Sequence, residues 1–193
     1  MTEKEKITEL YPQWLINNGF GDWFDWKNGV FSTFEKFLQL ATLHDSYWVG
    51  LFNYLDNSIN LILNFDAFWN QEITSHPGPK DKEWPYLIIK LETVYNVIFD
   101  SNLDCGTTIG DVKSEIIDDS QKDILIDNFE KQKIINQKLA ENLIDSKIVK
   151  TRIEDVCGGF VEILHNEIIR LQLFDPDGNQ IELPSKMKVI KNE

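Results

Sequence analysis

The residues best equipped for chemistry are three histidines and the carboxylates near them. His44-Asp45 precedes an apolar run, Asp66 follows on the return run, and His165 sits in the similar triplet Leu164-His165-Asn166. Two imidazoles and a carboxylate can hold a divalent metal with open positions, or supply a general base oriented by an acid. One reading is therefore a small metal-dependent hydrolase or ligand-binding enzyme using His44, Asp45, Asp66 and His165. The spacings argue against it. No HExxH, HxH or calcium-loop pattern is present, and His-Asp ahead of a strand also serves as a local cap or turn. His76 stands alone in a Pro-rich loop. GxSxG, GxxxxGK[ST] and GxGxxG are missing too. Cys105 lies in an acidic context that disfavours a thiolate, and with Cys157 it forms no CxxC pair. No catalytic residues, metal or cofactor are expected.

Charge gives a stronger signal. Aspartate and glutamate total 32 against 19 lysines and arginines, a formal net charge of −13. Such a surface repels nucleic-acid phosphate and anionic headgroups, and attracts basic partners. Glu115, Asp118, Asp119, Asp123, Asp127 and Glu130 form the densest acidic run. It reads either as the solvated side of a helix or as a docking face for a basic protein. Trp23, Trp26 and Trp84 are candidate anchors, because rigid rings give contact area at low entropic cost. The cluster around Trp23 and Trp26 can equally clamp the first helix onto a sheet.

Periodicity locates the elements that position these groups. Residues 43–69 hold two apolar runs around Asp56-Asn57-Ser58. In the second, Ile59, Leu61, Leu63, Phe65, Ala67 and Trp69 share one face. Asn60, Asn64 and Asp66 fall on a wetter one. A period of two with an Asn/Asp break predicts a hairpin. The first run, 46–55, is apolar on both faces, as in the middle of a sheet or inside a sandwich. Residues 86–99 form another strand. Residues 109–117 fit a short strand or a helical turn. Residues 148–174 are strand-like, broken at Gly158-Gly159. Asp175-Pro176-Asp177-Gly178-Asn179 is a turn before a closing strand at Ile181 and Leu183. Helices are expected at 2–17 (with Pro12 in conflict), 30–41 and 120–146. Residues 70–85 read as a surface loop.

The fold expected is α+β: mainly antiparallel sheet built from hairpins, two N-terminal helices and one longer helix near 120–146, in a single domain over 1–193. The charged start lacks the apolar region of a signal peptide, and no apolar stretch reaches membrane-spanning length, so a cytoplasmic protein is expected. Leu43-His44-Asp45 and Leu164-His165-Asn166 each precede about a dozen strand-like residues, a turn and an apolar return. Two such hairpins can arise by duplication or by shared hairpin chemistry.

In size, acidity and this Leu-His-Asp, strand, turn, strand organisation, the chain resembles the immunity proteins encoded beside bacterial polymorphic or contact-dependent toxins. The resemblance implies stoichiometric binding that occludes a cognate toxin. A nuclease toxin, with its basic cleft, would match the charge. It also implies the partner-binding residues: the acids from Glu115 to Glu130, with Trp23, Trp26 or Trp84 as anchors. A non-catalytic subunit of a larger assembly is the remaining alternative.

Overall fold

The computed structural model describes residues 11–19, 24–53, 57–74, 84–100, 108–132, 143–144 and 146–189. The protein is α+β and mainly sheet, with ten strands among those residues. Strands β1 (Val30–Ser32), β2 (Tyr47–Asn53), β3 (Ile59–Asn64), β4 (Tyr86–Leu91), β9 (Ile169–Phe174) and β10 (Gln180–Ile181) make one antiparallel sheet. Strands β5 (Val94–Asp100), β6 (Ile109–Ile116), β7 (Ile148–Asp155) and β8 (Phe160–Asn166) make the second.

The sheets are not independent. β4 runs into β5 and β8 into β9. Their pairing runs from Tyr86↔Phe174 to Leu91↔Ile169, slips at Val94↔His165, and recovers the first register from Asn96↔Leu164 to Asp100↔Phe160. A single antiparallel ribbon thus crosses both sheets and bends at 92–93 and 167–168. Hydrogen bonds pin the bend: Asn166 N–H to Thr93 O at 2.9 Å and Val94 N–H to Asn57 O at 2.9 Å. Arg170 adds an ion pair to Glu92 at 2.5 Å and stands over the Phe31 ring at 4.4 Å. At the far edges the sheets meet again. Asp45 N–H donates to Ile109 O, Ile109 N–H donates to Ser46 O, and Tyr47 bridges Thr108. The pairing path therefore runs β2, β3, β4/β5, β9/β8, β7, β6 and back to the start of β2.

One apolar core fills the space enclosed. Leu61, Leu63, Leu87, Ile89, Leu171 and Leu173 come from the first sheet, and Ile109, Ile153 and Ile163 from the second. Helix α1 (Phe34–Leu38) adds Phe34 and Phe37. A short helix α2 (Gln71–Thr74) contributes Ile73. Outside the first sheet, Leu15 and Phe24 cover Ile62 and Ile88. Outside the second, helix α3 (Asp119–Lys131) lays Leu125 and Phe129 with Ile117 and Ile148.

Several expectations change. The helix at 30–41 is instead β1 followed by the five-residue α1. Val30 and Phe31 pair with the edge of β9, and the Thr33 hydroxyl caps Lys36 N–H at 3.1 Å, so the helix begins only there. Among the described residues, Pro12 stands ahead of a helical turn. Its carbonyl accepts from Leu15 and Ile16 at the start of that turn, which ends in a π-turn over Leu15–Gly19. Residues 2–10 of the expected first helix lie outside the described residues. β2 is covered on both faces as expected, but from a place at the end of the sheet and not in its middle. Its two apolar faces arise because Trp48 and Leu51 meet the inner core while Val49 and Phe52 meet the outer cluster. The wetter face of β3 is covered as well, with Asn60 buried and Asn64 donating to Trp84 O at 3.0 Å. Residues 109–116 settle as strand. Helix α3 ends at Lys131, and residues 133–142 and 145 of the expected helix lie outside the described set.

Strand β5 has no strand beyond it among the described residues. Ile98 and Phe99 are exposed there, and Val97 N–H is taken by the Asn96 side chain at 2.9 Å.

Trp14 locks the Asp175–Asn179 turn onto the outer face. Its indole N–H donates to Pro176 O at 2.9 Å, and its ring packs on Tyr86 and Phe174 at 5.7 and 5.2 Å. Gly178 has φ +87°, and a Cβ there would stand 2.7 Å from the Trp14 ring, which its neighbours prevent from withdrawing. Gly178→Ala is expected to cost about 1–3 kcal/mol in urea unfolding. A loss below about 0.5 kcal/mol would show that this clamp yields.

Candidate functional site

The histidine–carboxylate set is dispersed. His165 is fully buried inside the pairing path, with its ring 5.5 Å from Phe34. Its Nδ1 lies 2.6 Å from Asn166 O, so that nitrogen carries the proton and donates. Nε2 is left to accept from the Thr151 hydroxyl at 2.8 Å, and Thr151 oxygen lies 3.0 Å from Ser114 Oγ. Burial pushes the His165 pKa down to about 4, against the weaker pull of the Asn166 carbonyl. Asp66 is buried too, its Oδ1 accepting Trp69 N–H at 2.8 Å. His44 is exposed and sits 3.1 Å from Asp45. No group of histidines, cysteines and acids able to hold a metal occurs among the described residues. His165 and Asp66 are thus engaged in hydrogen bonds of the fold, and the structure does not bring the four residues into one metal-holding group. The two Leu-His triplets also differ, since His44 lies in a turn and His165 within a strand. His76 and Cys105 lie outside the described residues.

The acidic run divides into three roles. Asp118 is the N-cap of α3, accepting Gln121 N–H at 2.8 Å in a capping box completed by the Gln121 side chain. Glu115 lies on β6 and pairs with Lys150 at 2.6 Å, a hydrogen bond that holds the lysine above its ordinary pKa. Asp119, Asp123, Asp127 and Glu130 are all exposed on α3. At 3.6 residues per turn they fall within an arc of about 80°, away from Leu125 and Phe129. Asp127 pairs with Lys131, and Asp119 stands 3.8 Å from Lys122. Asp123 and Glu130 have no ion partner among the described residues. Ile124, 60 % exposed, adjoins this stripe.

Glu115 also lines an open groove of about 310 Å³, together with Thr33, Phe34, Glu35, Ser114 and Glu167. Glu167 pairs with Lys147 at 3.4 Å, so two of the groove's three carboxylates are already matched by lysines.

Among the expected anchors, Trp26 packs on Phe24 at 5.1 Å in the outer cluster. Trp84 stacks on Tyr47 at 5.5 Å, its indole nitrogen sealed from solvent. Trp23 lies outside the described residues. The aromatic pair most open to solvent was not read from sequence. Phe68 and Trp69 are 52 and 59 % exposed and meet edge to face at 5.1 Å. Continued alternation placed Trp69 on the buried face of β3, but the strand ends at Asn64 and the chain turns. The signal available was Asp66-Ala67-Phe68-Trp69-Asn70, where Asp and Asn favour a turn over a strand.

Compared with protein-family models, curated proteins and solved structures, the chain finds no match in any of the three. No helix among the described residues is long and apolar enough to cross a membrane.

His165 makes stability depend on pH. Its folded pKa of about 4 lies below the ordinary 6.5, so the unfolded chain binds the extra proton between those values. Stability is complete above the higher value and falls by up to about 3 kcal/mol as pH descends through the window. Urea midpoints should therefore drop between pH 6.5 and 5 in the native protein and drop less in His165→Gln. Equal slopes in the two proteins would remove His165 as the cause.

Proposed function

We propose that this chain is an immunity-type binding protein that neutralises a cognate bacterial toxin by stoichiometric binding. Its outward acidic face on α3 docks on a basic surface of that partner, and a nuclease cleft fits the charge. The observation that carries the reading is the stripe of Asp119, Asp123, Asp127 and Glu130, exposed on a helix whose other side is anchored by Leu125 and Phe129. Asp123 and Glu130, without ion partners among the described residues, are available to pair with arginine or lysine, and Ile124 supplies apolar area beside them. Asp118 is committed to its cap and contributes charge more than contact. A net charge of −13 adds long-range attraction, which speeds encounter and weakens with salt.

The test is binding to the product of the adjacent gene, measured kinetically at two ionic strengths. The double variant Asp123→Lys, Glu130→Lys should bind about tenfold or more weakly at low salt, mostly through slower association, while circular dichroism stays native. An affinity unmoved by these reversals and by salt would discard α3 as the docking face.

A further inference from the structure

We infer that Phe68, Trp69 and Asp45 form a receptor for one arginine side chain on the basic partner. The identity of that partner rests on the reading above; the receptor itself rests on separate residues. Phe68 and Trp69 are two of the largest apolar side chains left in solvent, and they sit side by side. Three buried side chains build the turn that carries them. Asp66 Oδ1 takes Trp69 N–H at 2.8 Å, and Ser46 Oγ accepts Asp66 N–H at 3.0 Å. Asn70 bonds Thr42 O, Asp66 O and Thr42 N–H at 2.9, 2.8 and 2.9 Å. A turn held this way gives up little backbone freedom on binding, which is what a strong anchor needs.

Asp45 supplies the charge. It adopts φ +64°, a left-handed conformation that non-glycine residues rarely take, and its N–H is held by Ile109 O at 2.9 Å. Its Oδ2 accepts the Trp69 indole N–H at 3.1 Å, fixing the carboxylate at the edge of the ring. Oδ1 takes part in neither that bond nor the His44 contact at 3.1 Å. An indole 59 % exposed and bordered by a fixed carboxylate matches a guanidinium. The planar cation stacks on the ring and donates in-plane to the acid. An ammonium cannot do both in one plane, and a neutral urea side chain loses the charge. The protein's net charge of −13 brings such a cation toward this surface.

The test uses the full-length ¹⁵N-labelled protein and the peptide acetyl-Gly-Arg-Gly-amide, with the citrulline peptide as its neutral match. The Trp69 indole N–H signal is assigned by its disappearance in Trp69→Phe. It should shift saturably with the arginine peptide, and at least about fivefold less at equal concentration with citrulline or in Asp45→Asn. The Asp123→Lys, Glu130→Lys protein should show the same Trp69 response as the native one. A Trp69 signal that stays still, or moves equally with citrulline, overturns the receptor. If only amides of 119–130 respond, the receptor fails while the acidic docking face stands. If only Trp69 responds, the receptor stands and the acidic face lacks support.

Discussion

Residues 86–100 and 160–174 stay paired antiparallel while passing from the first sheet into the second, through one register irregularity at Val94–Asn96, and the other strands take their places from that ribbon. β3 and β2 extend one flank, β7 and β6 the other, and the two flanks meet where Ser46 and Ile109 share hydrogen bonds. The bend is the demanding point, because side chains must change sheets without losing ladder bonds. Backbone contacts from Asn57 and Thr93 take up the groups released there. Arg170, spread between Glu92 and Phe31, closes the outside of the corner. Branched apolar residues line the ribbon on both sides of it, so the core is continuous across the bend.

The candidate surfaces inherit their rigidity from this arrangement. The turn bearing Phe68 and Trp69 lies over the meeting of β2 and β6, tied by Ser46, Asp66 and Asn70. Helix α3 owes its orientation to Leu125 and Phe129 on the outer face of the second sheet, which leaves its acids facing water. Inside, the ordered chain Ser114, Thr151, His165 and Asn166 O satisfies a buried imidazole that would otherwise be costly. His165 and Asp66, which looked chemically promising, are therefore the ones the fold consumes, while Phe68, Trp69 and the acids of α3 stay exposed.

Much of the sheet was legible because its strands alternate or run apolar. β3, β4 and β9 carry Leu and Ile at every second position, and the turn at 175–179 has unmistakable chemistry. The bend was not legible, since alternation reads Leu91, Thr93, Tyr95 and Val97 as one face, whereas the irregularity at Val94–Asn96 turns Val94 and Val97 into the core and Tyr95 to the outer cluster. β6 was ambiguous because Ser114 occupies an inward position where an apolar residue would have marked the face. Residues 30–41 misled because Phe31, Phe34, Phe37, Leu38 and Ala41 fit helical spacing, while only pairing with β9 makes Val30 and Phe31 a strand. At the site, the acids of α3 were readable from charge and capping. Trp69 was not, because alternation alone cannot say where a strand stops. Nor could sequence say that Asp45 and Trp69, 24 residues apart, would share a hydrogen bond.

The open edge of β5 gives the net charge a second meaning. Ile98 and Phe99 stand exposed on a strand with no neighbour beyond it among the described residues, the pattern that invites two copies of a protein to join edge to edge. Asn96 occupies one of the free donors, and Asp100 closes the strand with a charge. Beyond that, two molecules at −13 each must approach against their mutual field. Acidity thus insulates like from like while admitting the unlike. Because the screening length contracts with ionic strength, concentrated salt withdraws both effects together, loosening attraction to a basic partner as it lets identical edges come within reach.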